Sequence, residues 1–551
     1  MLNSRIISSL DKCFPNSAPA DFTLLERVSV LRGERLSFQY AFREDDPAAP
    51  HRSWCAPVIE GDLAPYASVR IVEFTPSLMP VYPPPRQSDD DFITKEPGLF
   101  PDRLETLSKC GVPVCSYQTR TLWITVDIPA DAETGEHILT VGLDSAAGPY
   151  GRAQLAVSVI AATLPRQTMP VTQWFHCDCL ADYYRVPVFS EEHWRIIENF
   201  VRTAVENGIN TLLTPLFTPP LDTGIGHERP TVQLVGVTKE GDKYSFDYTL
   251  LDRWIDMCDR LGIKNLEINH LFTQWGAAAA PKIMATVDGE YRRIFGWDTP
   301  ASEGEYPVFL RTFLPDFIAH MKARGDDGRC IFHISDEPNA KNLEQYTASR
   351  AVVADLLEGY TTMDALSNIA FWESGVVKTP VVATNHIQPF IDKDVPGLWA
   401  YYCCSQSVGV SNRFFAMPGA RTRCIGLQFY KHNTAGFLQW GYNFYYNQGS
   451  YNYVDPYADS TGQYFVPSGD TYSVYPAPNG TAYESMRLVQ FHEGLQDARA
   501  LALCEQLCGR EATLEALEQA CGVIRFDRCI CDSAKMIAVR EMINDMIEKA
   551  I

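Results

Sequence analysis

The sequence predicts a mixed α/β protein with an all-β N-terminal domain: a β-sandwich followed by an irregular (β/α)8 TIM-type barrel and C-terminal helices. Three observations lead to this fold class. The 551 residues are too many for one ordinary hydrophobic core. Short segments of alternating apolar and polar residues fill the first part of the chain, and the part after it repeats strand, loop and helix. We therefore divide the chain into a sandwich (1–168), a barrel (169–500) and C-terminal helices (501–551).

The sandwich is predicted from three segments in which apolar and polar residues alternate: Arg35–Phe42, Thr121–Ile128 and Leu155–Val159. Clusters of Pro, Gly and Asp separate these segments, and such breaks between half-buried strands are typical of a sandwich. The proline-rich stretch Met79–Pro85 is expected to be a loop, and Leu164–Gln167 is expected to join the two domains.

Eight candidate strands follow, with helical patterns between several of them. They are Val171–His176, Thr211–Phe217, Asn265–His270, Cys330–Ser335, Gly359–Ala365, Val381–His386, Leu398–Cys403 and Gly436–Tyr442. Strands that alternate with helices fit a (β/α)8 barrel, with an open doubly wound sheet as the alternative. No G-x-G-x-x-G or G-x-x-x-x-G-K loop follows a strand, so the usual nucleotide-binding signals are missing. The connections after the fifth and sixth strands are short, and we expect the barrel to be irregular there.

Composition and charge argue against several classes of partner. The chain carries 47 basic and 68 acidic residues, and its net charge of −21 repels nucleic acid and anionic membranes. No apolar stretch approaches the roughly 20 residues that span a bilayer. The N-terminus does not resemble a signal peptide, so the sixteen cysteines are expected to be reduced thiols in the cytoplasm. Their spacing lacks the paired C-x-x-C pattern of a zinc site, and we expect neither a metal nor a cofactor.

The fourth predicted strand ends in Asp336-Glu337-Pro338. In a barrel of this kind the working residues lie where the strands end, because the loops there form the mouth. Two adjacent carboxylates repel each other, so one tends to have its pKa raised, and such a carboxyl group is a competent general acid. The alternative is structural: Asp336 caps the next helix, and Glu337 is favoured there by the helix dipole.

Other polar and aromatic residues end the neighbouring strands. Aromatic rings at these positions can form walls around a sugar ring, and polar groups can bind its hydroxyls. The candidate walls are Trp440 and Tyr442, and the candidate hydroxyl-binding residues are Tyr401, Asn385, Asn443, His176 and His386. Because no G-x-S-x-G nucleophile motif is present, this set favours proton transfer on a polyhydroxylated substrate.

The run Phe332–Pro338 resembles the catalytic signature of glycoside hydrolase family 123. Segments similar to this family extend over nearly the whole chain: Arg32–Arg35, Phe38–Gln39, Gln118–Ile124, Gly436–Trp440, Arg487 and Glu493–Asp497. The resemblance implies an N-terminal β-sandwich, a (β/α)8 barrel and β-N-acetylgalactosaminidase activity. It also implies that Glu337 is the general acid/base and that Asp336 orients and stabilises the 2-acetamido group of the substrate.

These assignments predict a retaining exo-β-N-acetylhexosaminidase that prefers N-acetylgalactosamine and uses substrate-assisted catalysis. In an ordinary retaining glycosidase the two carboxyl groups lie about 5–5.5 Å apart on opposite sides of the bond, and adjacent residues on one strand seldom do so. The seventh strand, where a partner nucleophile could be expected, ends in Tyr401–Cys404 and offers no carboxylate.

The expected substrates are small imported oligosaccharides or glycosides, because the export signal expected of a polymer-degrading member of the family is missing. Two alternatives stay open. The chain could be a glycosidase for another β-linked sugar, with Asp364 or Glu373 as the second carboxylate. It could also be a sugar-binding protein on a decayed hydrolase scaffold.

Overall fold

The computed structural model describes residues 2–338 and 340–551, and its first part is a sandwich of two β-sheets. The strands of this part are β1 (Asn3–Ser8), β2 (Arg27–Arg32), β3 (Arg35–Arg43), β4 (Arg52–Glu60), β5 (Ala67–Ser77), β6 (Gly98–Thr106), β7 (Val112–Cys115), β8 (Arg120–Asp127), β9 (Gly135–Ser145) and β10 (Gly148–Thr163). One sheet has the order β2-β10-β9-β4-β7. The other begins β1-β3-β8-β5-β6 and is continued by β24 (Ala482–Ser485) and β23 (Val474–Pro476), which come from far along the chain.

In the described part of the chain, eight parallel strands form a nearly closed barrel. In chain order they are β11 (Val171–Gln173), β12 (Thr211–Thr214), β15 (Asn265–Ile268), β18 (Cys330–His333), β19 (Thr361–Leu366), β20 (Thr379–Ala383), β21 (Trp399–Tyr401) and β22 (Gly436–Gln439). The end strands β11 and β12 lie side by side, and the Asn210 amide donates to the Val171 carbonyl at 3.1 Å. The order follows the chain around the sheet without the reversal of a doubly wound sheet. Each predicted strand overlaps one observed strand.

Helices and two hairpins lie between these strands, and three further helices follow the last of them. The helices are α1 (Cys177–Tyr184), α2 (Glu191–Glu206), α3 (Thr249–Leu261), α4 (Glu305–Arg324), α5 (Leu343–Ala351), α6 (Ala370–Glu373), α7 (Gln388–Ile391), α8 (Gly419–Arg423), α9 (Ile425–Lys431), α10 (Met486–Cys508), α11 (Arg510–Cys521) and α12 (Ser533–Ala550). The hairpins are β13 (Gly236–Glu240) with β14 (Lys243–Asp247) and β16 (Ile283–Val287) with β17 (Glu290–Phe295). The links after β19 and β20 are short, as expected: α6 and α7 have four residues each.

The sheet that contains β3 and β8 is buried on both faces. On one face Phe38 and Ile124 belong to the core between the two sheets of the sandwich. On the other face Trp123 packs with Met486 and Val489 of α10. Burial on both faces explains why β8 carries the apolar run Leu122–Ile124 and why the polar residues Ser37 and Gln39 of β3 are buried as well.

The C-terminal helices join the sandwich to the barrel. Helix α10 runs past residue 500, where the sequence places the end of the barrel. Arg540 of α12 donates to Glu34 of the sandwich at 2.7 Å and to Asp497 of α10 at 3.1 Å. These contacts pass through the predicted boundary, and the division of the chain into three parts stays a prediction.

Across residues 2–338 and 340–551, none of the helices is both long enough and apolar enough to cross a membrane.

Candidate active site

The ends of the barrel strands and the loops that follow them enclose a pocket of about 180 Å³. It is lined by Trp174, Asp222, Trp275, Asp336, Glu337, Ala365, Tyr401, Cys403, Cys404, Leu438, Trp440 and Phe465. The lining therefore combines three carboxylates with a ring of aromatic side chains. Such a combination fits a sugar, because aromatic rings can stack on its apolar face while carboxylates accept hydrogen bonds from its hydroxyls.

Asp336 and Glu337 follow β18, and both are half-buried in the pocket. The Tyr401 hydroxyl donates to Glu337 Oε1 at 2.8 Å, which fixes the direction of that carboxylate. Glu337 has a φ of 42°, a left-handed conformation that costs a residue with a Cβ on the order of 1 kcal/mol. Strain of this kind persists where the surrounding structure holds a functional side chain in place.

Several effects raise the pKa of Asp336 well above its ordinary value. Burial is the largest, and the negative charges of Glu337 and Asp222 add to it. The Trp275 amide donates to the Asp336 carbonyl at 2.8 Å, so the loop after β15 holds the backbone at this point. A carboxylate with a raised pKa is a better proton acceptor than an ordinary one.

Asp364, at the end of β19, fixes the backbone just before the two carboxylates. It accepts hydrogen bonds from the amides of Ile334 at 2.9 Å and Ser335 at 3.1 Å, and from the Tyr346 hydroxyl. It is fully buried and does not line the pocket. Asp364, which the sequence offers as an alternative catalytic carboxylate, therefore stabilises the end of β18 and does not face the pocket.

A second buried carboxylate, Glu267, contacts Trp174, which lines the pocket. It accepts hydrogen bonds from Trp174 Nε1 at 2.8 Å and from His333 Nε2 at 2.7 Å. His333 Nδ1 lies 3.6 Å from Asp364 Oδ1, an ion-pair distance. Burial alone would lower the pKa of His333, but the two carboxylates outweigh it and raise the pKa to about 9. The His270 ring stacks on His333 with the ring centroids 4.3 Å apart.

Trp440 and Tyr401 are the two residues from the predicted binding set that line the pocket. Trp440 Nε1 donates to Asp470 Oδ2 at 2.8 Å, and this bond fixes the indole against the pocket. The Trp440 carbonyl interacts with His176 Nε2 at 2.9 Å.

The other predicted binding residues are not brought to the pocket. Tyr442 is buried and donates to the Phe200 carbonyl at 2.9 Å. The Asn443 side chain accepts a hydrogen bond from the His176 amide at 2.9 Å and donates one to the His176 carbonyl at 3.0 Å. Both residues are buried. Burial and the charge of Arg229 lower the pKa of His176 to about 3.

Asn385 and His386 are exposed in the turn after β20 and lie outside the pocket lining. The Asn385 side chain accepts from Gln406 Nε2 at 2.9 Å. Glu373, the other alternative second carboxylate, is exposed on α6 and pairs with Lys393. Neither the turn nor Glu373 contributes to the pocket.

Sequence reasoning missed Asp222, Trp174 and Trp275. Trp174 lies near the end of the first predicted strand, Val171–His176, so the rule that working residues lie at strand ends applies to it. Asp222 and Trp275 lie in the loops after β12 and β15, a few residues beyond the predicted strand ends. A search that extended the strand-end rule into the following loops would have found both. Burial and the charges of Glu337 and Asp470 raise the pKa of Asp222 to about 7.

In the part of the chain that the structure describes, no three His, Cys, Asp or Glu side chains are grouped so as to hold a metal ion.

A model of the glycoside hydrolase 123 catalytic domain matches residues 174–504, more than half of the chain. The chain belongs to glycoside hydrolase family 123. The matched span contains Asp222, Asp336, Glu337 and every other residue of the pocket. Membership confirms the resemblance drawn from the sequence, and it makes the chain a glycoside hydrolase.

Two solved structures are similar to this family 123 chain. A family 123 glycoside hydrolase from Clostridium perfringens, whose structural analysis concerned glycolipid glycan hydrolysis, is 14% identical, with a TM-score of 0.75 over 100% of this chain and 99% of that chain. It shows the same fold over the whole length. A putative glycoside hydrolase from Bacteroides vulgatus is 11% identical, with a TM-score of 0.28 over 79% of this chain and 75% of that chain. No curated protein matches the chain.

Proposed function

We propose that this chain is a retaining exo-β-N-acetylhexosaminidase that prefers N-acetylgalactosamine and uses the substrate's 2-acetamido group as its nucleophile. One observation carries the proposal: the adjacent carboxylates Asp336 and Glu337 share a small aromatic-walled pocket, and Tyr401 orients the second of them. A pocket of about 180 Å³ suits one terminal sugar residue, which supports exo cleavage. The Clostridium perfringens relative, studied in glycolipid glycan hydrolysis, supports a glycan substrate; for this chain we propose a small oligosaccharide or glycoside.

In the proposed reaction Glu337 donates its proton to the glycosidic oxygen as the bond to the anomeric carbon breaks. The acetamido oxygen attacks that carbon and forms an oxazolinium ion. Asp336 accepts a hydrogen bond from the acetamido N–H and stabilises the positive charge that develops there, a role for which its raised pKa is favourable. Glu337 then takes a proton from a water molecule that opens the ring, so the anomeric configuration is inverted twice and retained.

A second candidate is a glycosidase for another β-linked sugar, in which a further carboxylate is the nucleophile. Asp364 and Glu373 do not support this alternative, because neither lines the pocket. Asp222 does favour it, since its side chain faces the same pocket as Glu337. The two candidates differ in whether a sugar ester forms on the protein.

We propose that the nearly closed barrel is of the (β/α)8 TIM type, and that the chain divides into residues 1–168, 169–500 and 501–551. A cytoplasmic location is supported by sixteen cysteines that are all free thiols. The net charge of −21 supports neither nucleic acid nor a membrane as a partner.

A panel of aryl β-glycosides tests the proposal. The wild type should cleave the 2-acetamido sugars at least about 100-fold faster than their 2-hydroxyl counterparts, because only the former carry the nucleophile. Proton NMR should detect the β-anomer as the first product. Glu337→Gln should lose about 100-fold or more on poor leaving groups and far less on activated ones. Glu373→Gln, an exposed control, should keep wild-type rates.

A 2-fluoro sugar trapped as an ester on Asp222 would exclude the substrate-assisted mechanism and leave a glycosidase of the second type. An α-anomer released first would exclude both candidates, because each of them retains the configuration, and would leave an inverting glycosidase. Equal losses of Glu337→Gln on both kinds of leaving group would contradict its role as the acid.

A further inference from the structure

We propose that Asp222 binds the hydroxyl groups of the terminal sugar and determines which sugar the pocket accepts. This proposal deepens the proposed function and rests on it for the identity of the ligand. Asp222 lies in the loop after β12, two positions along the barrel from β18, and the loop after β18 carries Asp336 and Glu337. The three carboxylates line one pocket.

The Asp222 carboxylate, like that of Asp336, which lines the same pocket, differs in its hydrogen bonding from the buried acidic groups of the barrel that lie outside the pocket. Glu267, Asp364 and Asp470 each accept at least one hydrogen bond from a neighbouring side chain. Asp178 accepts hydrogen bonds from Nε and Nη2 of Arg229, both at 2.7 Å. In residues 2–338 and 340–551, no donor is bonded to the carboxylate of Asp222. Asp222 is half-buried at the pocket, and its carboxylate oxygens are left free to accept hydrogen bonds from the hydroxyl groups of a ligand.

The backbone of Asp222 is held in place by two other loops. Its amide donates to Gln274 Oε1 at 2.7 Å, in the loop after β15. Its carbonyl accepts from Ser450 Oγ at 2.7 Å, in the loop after β22. With a φ of 44°, Asp222 has a left-handed conformation, which aspartate tolerates better than most residues. The backbone that carries the side chain is thus fixed before any ligand binds, and such preorganisation lowers the cost of binding.

The nearby cation cannot neutralise Asp222 by contact, since Arg229 is engaged by Asp178. Burial and the charges of Glu337 and Asp470 work against the ionised form of Asp222. Hydroxyl donors from a sugar would favour that form. Stacking on the aromatic walls does not depend strongly on the orientation of the sugar's hydroxyl groups. A carboxylate held at one side of the pocket does distinguish sugars by the directions of their hydroxyls.

Binding of N-acetylgalactosamine and its 3-, 4- and 6-deoxy analogues, measured by calorimetry, tests this without requiring turnover. Asp222→Asn keeps the size and tolerates the backbone conformation. It should weaken binding of the parent sugar by about 10- to 100-fold, since a hydrogen bond to a charged group is lost. For the analogue that lacks the contacted hydroxyl, wild type and variant should agree within about twofold, while the other analogues keep the full difference.

Asp394→Asn is the matched control, because Asp394 is also left-handed, with a φ of 49°, but is exposed outside the pocket. It should bind every sugar as the wild type does. Equal losses on all the analogues, no loss on any of them, or no binding by the wild type would each overturn the proposal. Wild-type binding with the expected pattern, but no cleavage of any glycoside, would instead refute the proposed function and leave this inference standing.

Discussion

Tyr401 has the most specific contact of any predicted binding residue, because its hydroxyl reaches Glu337 directly. The 2.8 Å hydrogen bond holds the carboxylate toward the pocket. The next residue, Tyr402, is also fully buried, but its hydroxyl has no partner in the described residues. Two adjacent tyrosines therefore offer a direct comparison between a hydroxyl that serves the site and one that does not.

Tyr401→Phe should lower kcat/KM on the proposed substrates by about 10- to 100-fold, because it removes one hydrogen bond to a charged group. The ring stays, so the melting temperature should change little. Tyr402→Phe should leave both quantities at wild-type values. Steady-state kinetics and thermal melting of the two variants check this, and equal effects on activity would remove Tyr401 from the site.

Trp440 and Tyr442 show where residue-level prediction stops. The sequence predicts both on one strand, and residues two positions apart on a strand share a face of the sheet. Only Trp440 lines the pocket in the structure. Strand β22 ends at Gln439, before both. At Gly441 a Cβ would lie 2.3 Å from the Thr471 carbonyl, so the chain turns close against another segment. Beyond that turn, residues two positions apart no longer share a face. The sequence around Gly441 does not indicate that a segment 30 residues later packs against it.

At the scale of elements, three neighbouring strands meet in a buried charge network beneath the pocket. Glu267 comes from β15, His333 from β18 and Asp364 from β19. The strands could be predicted from their apolar runs and their breaks. The pairing of a histidine with two carboxylates could not, because it depends on which side chains of different strands point inward at one level.

The network predicts a specific loss of stability at alkaline pH. His333 has its pKa raised to about 9 in the fold, against about 6.5 when free. Its contribution is therefore complete below about pH 6.5 and is lost as the pH rises through about 9. Wild type should lose melting temperature over this range relative to His333→Gln, whose curve should be flatter. Other titrating groups, such as Lys12, are common to both proteins and cancel in the comparison.

Exposed His386 supplies the control, since His386→Gln should keep the wild-type slope. Parallel curves for the wild type and His333→Gln would show that His333 is not held as a cation.

At the scale of the whole molecule, the sandwich and the barrel are connected by contacts between residues hundreds of positions apart. β24 and β23 extend a sandwich sheet, and α10 covers its outer face. The sequence predicts a sandwich and a barrel because each has a local period. It does not predict their union, because pairing over such distances leaves no local pattern. Nor does the bland amphipathic pattern of α12 indicate that its Glu541 binds Ser29 of β2, at 2.6 and 2.9 Å.

One of these connections is a buried ion pair between Asp102 of β6 and Arg487 of α10. Nε and Nη2 of Arg487 donate to the Asp102 carboxylate at 2.8 and 2.9 Å, and both side chains are at most 1% exposed. Removing one charge leaves the other buried without its partner. Asp102→Asn should therefore lower the free energy of unfolding by about 3–5 kcal/mol.

The exposed pair of Arg27 and Glu136 gives the comparison, since its side chains are 71% and 52% exposed. Glu136→Gln should cost no more than about 1 kcal/mol, because water already solvates both charges. Chemical denaturation followed by both fluorescence and circular dichroism measures the two losses. Because Arg487 also donates to the carbonyls of Gly469 and Tyr472, the Asp102 variant loosens the loops behind the pocket as well as the sheet. Its sandwich and barrel should then lose stability together, with coincident transitions. A loss as small as that of Glu136→Gln, or a sandwich that unfolds alone, would mean that this pair does not couple the two parts.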